Sequence, residues 1–393
     1  MGTIDVEIAV VGGGPAGLTA ALALSAAGAE VALVAPPAPP ADHRTTALFA
    51  GSVEVLRAVG GWDRVADRAA PLKTMRLVDG TRRLVRAPEI AFHASELGLD
   101  AFGWNVANAA LTEGLAAAVA ADGRIRRVEA TMDRLDLAGP RPELVTADDR
   151  TVTARLVVGA DGRGSKVREA AGIAVKTWSY PQTALVLNLD HTAPHFDTST
   201  EFHTETGPFT LVPLAARRSA LVCIEKPAVA EALNALSDDA LAADLERRAH
   251  SMLGRFTVAS PRQLWPMAGL SAEALARGPV VLVAETCHAF PPIGAQGLNL
   301  GIRDIAALAE IVRRARTGGG LPAETIGERY AAARRSDVWT RTTGVDLLNR
   351  SLLTDFLPVQ VGRAVLLQLA RDVGPLRKLM MREGLSPRLL RST

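Results

Sequence analysis

Cysteine is scarce in this chain of 393 residues, which contains only Cys223 and Cys287. The two lie far apart in sequence and form no C-x-x-C pair, so neither a redox disulfide nor a zinc site is indicated. We expect two buried free thiols and a reducing compartment. A strong charge excess is absent as well, because 44 Lys and Arg against 42 Asp and Glu leave a net charge of +2. This balance argues against nucleic acid as a general partner.

The first residues, MGTID, also lack the basic region of a signal peptide, so we expect no secretory signal. No charged residue occurs between Glu7 and Glu30, a gap long enough to suggest a membrane span. Glycines interrupt that stretch where a ligand-binding turn would lie, so we interpret it as part of a soluble fold and expect a cytoplasmic protein. The hydrophobic fraction of 48% predicts a well-buried core. The length allows two domains, or one large domain with an inserted lobe.

The N-terminal stretch contains the pattern of a strand, a glycine turn, a helix and a second strand. The apolar run Ile8 to Val11 leads into Gly12, Gly14 and Gly17, which are spaced as G-x-G-x-x-G. This is the pattern of a dinucleotide-binding βαβ unit. The first glycine permits the turn, the second lets a pyrophosphate approach the backbone, and the third lets helix and strand pack closely. The alternative is an ordinary glycine turn.

The unit lacks one expected part. An acidic side chain normally ends the second strand and binds the adenosine ribose, but Ala35 occupies that position, followed by Pro36 and Pro37. The ribose therefore needs another side chain as its partner, or a backbone group must bind it. Beyond this proline-rich loop, Arg44 precedes a helical pattern that begins near Thr46. Its planar, permanently charged guanidinium suits a diphosphate or a flavin edge, and a solvated arginine is the alternative.

A second stretch, VVGADGRGSKVR from Val157 to Arg168, predicts a strand, a turn and a helix that Ser165 caps. Asp161, Arg163 and Arg168 would lie at the carboxyl end of a strand, where α/β sheets bind their ligands. We interpret these side chains as ligand-site residues. The alternative is a strand-to-helix connection with favourable turn residues and no ligand.

A third stretch, LVAETCHAFPPIGAQGLNLGIRD, combines prolines and glycines in a loop that leads into a helix beginning near Asn299. The glycines let the backbone lie against a flat ligand, at which the first helical amides would point. Over the N1 and C2 edge of an isoalloxazine, these amides would stabilise the negative charge of a reduced flavin. Glu285 is suited to accept a hydrogen bond from a ribityl hydroxyl, and His288 is a candidate catalyst, although such a histidine is more often structural. The loop prolines and glycines are Pro291, Pro292, Gly294, Gly297 and Gly301.

The other patterns indicate an α/β fold with an inserted lobe. A helix is predicted from Ala107 to Ala121, with Leu111 on its apolar face. Strand patterns from Lys176 to about Trp265, with one helix near Asp238 to Leu253, indicate an antiparallel sheet. The predicted domains are a discontinuous nucleotide-binding domain (1–175 with 278–320, residues 72–100 being assigned to it or to the lobe), a substrate lobe (176–277) and a helical C-terminal region (321–393).

Taken in order, GGGPAG, GADGRGSKVR and AETCHAFPPIGAQGLNLGIRD resemble the signature set of single-component FAD-dependent aromatic hydroxylases. Within that group the chain is similar to the ubiquinone-biosynthesis hydroxylases, and the likeness covers essentially the whole sequence. It implies a Rossmann-type FAD-binding fold with an inserted antiparallel-sheet substrate lobe and a helical C-terminus. The segments that carry the closer likeness are RTTAL after Arg44, YPQTALV from Tyr180, EFHTETGPFTLVPL from Glu201 and DLLNRSLLTDF from Asp346.

The resemblance also assigns residues to the cofactor. Where the family usually has Gly-Asp, this chain has Ala284 and Glu285, so the carboxylate reaches the ribityl chain through one more methylene. The turn at Asp161 would serve both FAD and NAD(P)H, and no metal is implied. The residues that the resemblance and the motifs assign to cofactor binding are Gly12, Gly14, Gly17, Arg44, Asp161, Glu285, Gly297, Leu298 and Asn299, with His288 as the one candidate for catalysis.

The implied reaction is hydroxylation of the aromatic ring of a prenylated phenol in ubiquinone biosynthesis. FAD would be the cofactor, NADH or NADPH the transient reductant, and O2 the second substrate. The chain has one G-x-G-x-x-G unit of this quality and no cysteine pair, which argues against a disulfide-reductase-like flavoenzyme. The alternatives are a non-catalytic flavin-binding scaffold of a biosynthetic complex and a hydroxylase of soluble phenols.

The C-terminal segment from Arg350 to Arg391 carries eight Lys or Arg residues against three acids, interleaved with apolar runs. This pattern predicts either ordinary packed helices or a face that docks on a membrane surface or a partner of the biosynthetic complex. The second interpretation suits a polyprenyl substrate. It would place the protein peripherally at the inner face of the membrane.

Overall fold

The computed structural model describes residues 2–37, 42–81, 88–291, 295–319, 322–353 and 374–385. Pro292 and Gly294, together with most of the segment from Arg350 to Arg391, lie outside the described residues. Both cysteines are free and buried, as predicted.

The described chain alternates strands and helices before a long strand-rich region and a helical end. The helices are α1 (Pro15–Ala26), α2 (Ala50–Ala58), α3 (Asn108–Ala121), α4 (Lys166–Ala170), α5 (Pro227–Asn234), α6 (Asp238–Arg248), α7 (Gln296–Thr317), α8 (Ala323–Leu353) and α9 (Gly374–Leu385). The strands are β1 (Ile4–Asp5), β2 (Ile8–Val11), β3 (Val31–Ala35), β4 (Thr45–Phe49), β5 (Ala70–Leu72), β6 (Thr74–Asp79), β7 (Ile90–His93), β8 (Gly103–Ala107), β9 (Ile125–Glu129), β10 (Met132–Asp136), β11 (Glu143–Thr146), β12 (Thr151–Thr153), β13 (Leu156–Gly159), β14 (Val175–His191), β15 (Thr198–His203), β16 (Pro208–Pro213), β17 (Arg218–Glu225), β18 (Phe256–Val258), β19 (Gln263–Ala272), β20 (Ala276–Arg277), β21 (Val280–Leu282) and β22 (His288–Ala289).

The glycine turn belongs to a six-stranded sheet in the order β20-β21-β13-β2-β3-β9, in which all neighbours except the β20–β21 pair run parallel. Ile8 and Val10 pack into a core with residues of α1, α3 and α7 on one face. Ala9 and Val11 pack on the other face, against residues of the small sheet β1-β12-β11-β10. A strand that is covered on both faces is apolar throughout, which accounts for the uninterrupted run in β2.

The strand-rich region forms a second, mainly antiparallel sheet. Its path is β22-β19-β14-β17-β16-β15-β6-β7, and β18 pairs with β14 beside it. Strands β6 and β7, from residues 74–93, extend this sheet through the parallel β15–β6 pair. Leu185, Leu187 and Phe209 form its core together with residues of α6. The fold is therefore α/β, with a Rossmann-type sheet, an antiparallel-sheet lobe and helices toward the C-terminus.

Two local predictions were wrong in detail. The pattern assigned to a helix from Thr46 begins as strand β4, because residues 45–49 pair antiparallel with β8, and the helix starts only at Ala50. Tertiary pairing here overrides the local helical pattern. The late helix α7 begins at Gln296, three residues before Asn299. The helix predicted from Ala107 to Ala121 is confirmed as α3.

Two long helices follow the parallel sheet near its β20–β21 edge. Helix α7 packs on α1, and α8 packs on α7 and on β20. Tyr330 of α8 is fully buried and donates a hydrogen bond to the carbonyl oxygen of Leu282 at 2.8 Å. Among the described residues, no helix has the length and apolar character needed to cross a membrane.

Candidate functional site

The glycine turn between β2 and α1 leaves space only at its centre. Gly12 has φ +126°, and a Cβ there would collide with the backbone of Ala160. A Cβ at Gly17 would collide with the carbonyl oxygen of Gly12. A Cβ at Gly14, in contrast, would have no heavy atom within 4 Å. Two glycines therefore allow close packing of the turn, and the third borders open space.

Helix α1 begins at this open space without the usual partners for its first amides. Its N-cap is Gly14, which provides no side-chain cap, and the first turn contains no acidic residue. Pro15 follows in the first turn, where a missing N–H is tolerated. The first N–H groups of a helix need acceptors, and with the helix dipole they favour an anion such as a diphosphate. The turn thus has the form of an anion site on which an FAD pyrophosphate fits.

Asp161 lies beside the turn, at the carboxyl end of β13. Its carboxylate accepts hydrogen bonds from the Ser165 hydroxyl at 2.6 Å and from the Val167 N–H at 3.3 Å. Burial raises the pKa of Asp161 above its usual value, although these hydrogen bonds act in the opposite direction. Ser165 also caps α4, as predicted, by accepting from the Arg168 N–H. Asp161 therefore shapes the turn through its own side chain.

The second and third motif stretches contact each other directly. Arg168 donates to the carbonyl oxygens of Thr286 at 2.8 Å and of Arg163 at 2.9 Å. Arg163 and Glu285 form an ion pair at 3.1 Å, with both side chains about half exposed. The Thr286 hydroxyl donates to the Gly159 carbonyl oxygen at 3.0 Å. Arg168 is thus a structural contact between two turns, and Glu285 stands at the surface of the site.

Arg44 reaches the same region from the loop before β4. Its Nε and Nη2 atoms donate to the two carboxylate oxygens of Asp42 at 2.9 and 2.8 Å. The guanidinium lies 4.3 Å from the ring centroid of Trp265, in the antiparallel sheet. Burial opposes the charge of Asp42, but the hydrogen bonds from Arg44 outweigh it and lower the pKa of Asp42 to about 2. Glu285 is close enough that its charge contributes to the raised pKa of Arg44.

The start of α7 is fixed by the Asn299 side chain. The Asn299 Oδ1 atom accepts from the Phe49 N–H at 2.8 Å, and Nδ2 donates to the carbonyl oxygens of Ala47 and Ala295, each at 2.7 Å. These bonds tie α7 to β4. Gly297 and Leu298 lie in the first turn, where backbone N–H groups lack intrahelical acceptors. Asn299 is the fourth helical residue, so helix geometry directs its backbone N–H to the carbonyl oxygen of Ala295.

Beneath this helix lies a network of buried charges that the motifs did not predict. The His288 Nε2 atom lies 2.6 Å from a carboxylate oxygen of Asp304, and the Nε atom of Arg334 donates to the other oxygen at 2.8 Å. Arg334 also donates to Asp337 at 2.7 Å. Asp304 accepts from the Ala284 N–H at 3.1 Å, so the network supports the Ala284–Glu285 turn directly. We name these four side chains, His288, Asp304, Arg334 and Asp337, the ionic layer.

Three members of the ionic layer, His288, Asp304 and Arg334, are buried, and their burial affects their protonation. Asp304 and Arg334 are each 0% exposed, and His288 is 2% exposed. Burial alone would lower the pKa of His288, but the neighbouring Cys287 and Asp304 side chains outweigh it and raise that pKa. Burial would raise the pKa of Asp304, yet His288 and Arg334 hold it below its usual value. The geometry favours the structural interpretation of His288 over the catalytic one.

Cys287 lies next to the ionic layer, within 4.8 Å of the His288 and Asp304 ligand atoms. Its thiol contacts the carbonyl oxygens of Leu282 at 3.6 Å and Ala284 at 3.3 Å, and burial raises its pKa. Each of the three side chains therefore has a hydrogen-bond partner within the protein, although the Nδ1 atom of His288 has none among the described residues. These contacts account for the cluster as part of the turn's support.

Ala284 occupies the position where the family usually has glycine. Its φ of +55° is in the left-handed region that glycine adopts readily and alanine rarely. The facing residue is Gly301 of α7, at which a Cβ would lie 2.6 Å from the Cβ of Ala284. The turn therefore accommodates alanine at position 284 only because the facing residue on α7, Gly301, has no side chain.

The site contains residues that the motifs did not single out. The motifs assign no role to Asp42, Trp265, Asp304 or Arg334, although Asp304 is the last residue of the third motif stretch, and tertiary contacts bring these side chains to the site. The one available signal was the uncommon presence of an acid, Asp304, among the apolar positions on the buried face of α7. A cavity of about 1070 Å³ lies between α8 and residues 271–278, and none of the nine predicted cofactor residues lines it.

The tail helix α9 contacts the antiparallel sheet. Arg377 pairs with Glu96 at 2.6 Å and lies 4.6 Å from the ring centroid of Phe92. Met381 is buried with Ala94 and Phe102. Arg377 belongs to the basic C-terminal segment, and here it takes part in an intramolecular contact.

Comparison with known proteins gives the family of the chain. The family model described as FAD binding domain matches residues 5–343. Over 98% of its length the chain is 33% identical to ubiquinone hydroxylase UbiL of Rhodospirillum rubrum, covering 92% of that protein. It is 30% identical to 3-demethoxyubiquinol 3-hydroxylase of Escherichia coli, with 96% of the chain and 98% of that protein covered.

Among solved structures, the fold is similar to p-nitrophenol 4-monooxygenase PnpA from Pseudomonas putida. The TM-score is 0.79 at 19% identity, with 99% of this chain and 100% of that chain covered. This likeness concerns the fold, whereas the family match and the two hydroxylases cover most of the sequence. The chain therefore belongs to the FAD-dependent aromatic hydroxylases, a family of flavoprotein monooxygenases that share this FAD binding domain.

Proposed function

We propose that this chain hydroxylates the aromatic ring of a prenylated phenol in ubiquinone biosynthesis, with NADH or NADPH as reductant and O2 as second substrate. The proposal depends on the sequence similarity to two hydroxylases whose names refer to ubiquinone and to demethoxyubiquinol. In each comparison the similarity covers nearly the full length of this chain and of the relative. A hydroxylase of soluble phenols would share the fold, and no observed feature favours it.

The described residues fit FAD at the meeting point of the three motif stretches. The open space at Gly14 and the uncapped start of α1 would hold the pyrophosphate. Amides of Gly297 and Leu298 would face the flavin ring from the start of α7. Glu285, which faces solvent with Arg163, would accept a hydrogen bond from the ribityl chain. When bound, FAD supplies the electron transfer from NAD(P)H and the activation of O2.

Arg44 is the charged side chain best placed to contact a bound cofactor. Its Nε and Nη2 atoms are occupied by Asp42, and its face is covered by Trp265. Among the described residues no hydrogen bond involves its Nη1 atom, which therefore remains available for an anionic or carbonyl oxygen. Asp42 fixes the orientation of the guanidinium, so that little side-chain entropy is lost when a ligand binds.

His288 would act through the turn and not on the substrate. It is buried, it is paired with Asp304, and through that carboxylate it supports the N–H of Ala284. A group that exchanges protons with a substrate must lie within hydrogen-bond reach of it. We therefore assign no general base among the described residues.

The experiment that tests the proposal uses the purified, FAD-loaded protein with NADH or NADPH and a short-chain prenylated phenol. The expected result is reductant oxidation that depends on the phenol, with one oxygen atom from O2 incorporated into the product. A quinone profile of a deletion strain should show an intermediate that lacks one hydroxyl group. FAD-loaded protein that oxidises NAD(P)H without forming hydroxylated product, together with an unchanged quinone profile, would overturn the proposal.

Peripheral association through the C-terminal region is a separate part of the proposal. Arg377 is unsuitable for its test, because reversing its charge would break the pair with Glu96. Lys378 is exposed and is the better choice. If the tail docks on anionic lipid, Lys378→Glu should reduce flotation with anionic liposomes at low salt, and unchanged flotation would contradict the docking.

A further inference from the structure

The position that normally carries the ribose-binding acid is occupied by Ala35, at the carboxyl end of β3. Its side chain points at the glycine turn, since a Cβ built on Gly13 would lie 2.8 Å from the Ala35 Cβ. Pro36 follows and has no N–H to donate. The site therefore has the usual geometry at this position without the usual carboxylate.

The neighbouring strand provides a carboxylate at the same level. Strand β9 runs parallel to β3 at the edge of the sheet, and Ala35 is paired in register with Glu129. Side chains of paired residues on adjacent strands leave the sheet on the same face. Val34 and Val128, the preceding pair, are buried together on the opposite face, which agrees with this orientation.

Glu129 also borders the space in front of the glycine turn. A small surface pocket of about 50 Å³ is lined by Gly13, Ala35, Thr112 and Glu129, among others. The Glu129 carboxylate is about half exposed, at 54%, and forms an ion pair with Arg127 at 2.8 Å. Exposed ion pairs contribute little to stability, so this carboxylate can exchange its partner for a ligand hydroxyl at small cost.

We propose that Glu129 replaces the missing acid and accepts hydrogen bonds from the hydroxyl groups of the adenosine ribose of FAD. The inference rests on the proposed function to the extent that FAD is the ligand. It moves the ribose contact from the second strand of the βαβ unit to the edge strand beside it. Carboxylate acceptors suit a ribose because its two adjacent hydroxyl groups are donors.

The test compares Glu129→Gln with the wild-type protein, using two ligands added to flavin-free protein. One is FAD, and the other is an FAD analogue whose adenosine ribose lacks both hydroxyl groups. Hydrogen bonds to a charged group contribute enough that Glu129→Gln should weaken FAD binding about tenfold to a hundredfold. Binding of the dideoxy analogue should be the same in both proteins, as measured by quenching of flavin fluorescence.

Two further variants serve as controls. Glu54→Gln removes the same charge from an exposed position on α2 and should leave both affinities unchanged. Arg127→Ala removes the ion-pair partner and should leave FAD binding unchanged or tighten it, because Glu129 is then free. A loss in Arg127→Ala equal to that in Glu129→Gln would assign the effect to the ion pair and overturn the inference.

The outcomes separate this inference from the proposed function. Wild-type protein that binds no FAD would overturn both. Tight FAD binding that Glu129→Gln leaves unchanged would overturn only the assignment of Glu129. A variant that weakens FAD and the dideoxy analogue equally would indicate a general disturbance of the pocket, and it would also overturn the assignment.

Discussion

The start of α7 separates two regions of opposite composition, the glycine turns that face the cofactor space and the ionic layer behind them. The turns are small, uncharged and partly open, as at Gly14. The ionic layer is large, charged and closed, with Arg334 and Asp304 both fully buried. The first region provides space and free amides. The second keeps the Ala284–Glu285 turn fixed against α7, through the bond from the Ala284 N–H to Asp304.

This difference indicates that the open region depends on the closed one. Backbone amides can face a ligand only if their turns do not relax onto neighbouring groups. Buried ion pairs contribute little net stability compared with apolar packing, but removing one partner leaves an uncompensated charge. The contribution of the ionic layer is therefore best measured as the stability lost when one of its side chains is replaced.

The largest effect is expected for Asp304→Asn. The substitution leaves Arg334 and protonated His288 without their shared carboxylate, and breaking a buried pair in this way costs about 3–5 kcal/mol. The free energy of unfolding should fall by that amount in urea titrations at a fixed FAD concentration. Asp63→Asn, at an exposed position, is the matched control and should change it by less than about 0.5 kcal/mol. A loss below about 1 kcal/mol in Asp304→Asn would mean that the ionic layer does not support the fold.

The glycine turn should divide into two kinds of position. Gly17→Ala forces a methyl group against the Gly12 carbonyl oxygen, so it should lower the free energy of unfolding by about 2–3 kcal/mol. Gly14→Ala has room and an extended backbone, so the stability should change by less than about 1 kcal/mol. FAD affinity in Gly14→Ala should nevertheless fall at least about tenfold, because the methyl group faces the space for the pyrophosphate. Equal stability losses in the two variants would contradict the assignment of Gly17 to packing and of Gly14 to the ligand space.

Much of the open region could be predicted because its signals are local. The spacing of Gly12, Gly14 and Gly17 and the apolar run of β2 lie within a few residues of one another. Proximity in sequence fixes which groups meet at a tight turn, so motif and geometry agree there. Strand β4 is the exception, since its pairing with β8 is non-local and overrides a local helical pattern.

The ionic layer could not be predicted for the opposite reason. His288, Asp304 and Arg334 come from β22, α7 and α8, and only the packing of these elements brings them together. Each residue taken alone has an ordinary alternative, a structural histidine or a solvated charge. The same holds for Glu129, whose place beside Ala35 follows from strand order and not from spacing.

The ionic layer should also show a characteristic pH dependence. The usual pKa of histidine is about 6.5, and Cys287 and Asp304 together raise the pKa of folded His288 to about 10, against the effect of burial. The stabilisation by charged His288 is therefore fully present below about pH 6.5 and is lost as the pH rises toward the folded value. We expect the free energy of unfolding to fall by about 3 kcal/mol between pH 6.5 and 9, because over most of this range only the unfolded chain releases the proton. His288→Gln should lack this part of the fall, and identical profiles for the two proteins would contradict a raised pKa.

The smallest effect is expected where the two regions meet, at Ala284. Its left-handed backbone costs alanine about 1–2 kcal/mol, which Ala284→Gly would relieve. The same change removes a buried methyl group, which lowers the stability by about 0.8 kcal/mol. Glycine also makes the unfolded chain more flexible, which lowers the stability by a further amount of about 0.4–1 kcal/mol. These contributions nearly cancel, so urea unfolding should shift by less than about 1 kcal/mol. A shift above about 2 kcal/mol in either direction would show that the turn is strained or packed in a way that its φ and its contact with Gly301 do not explain.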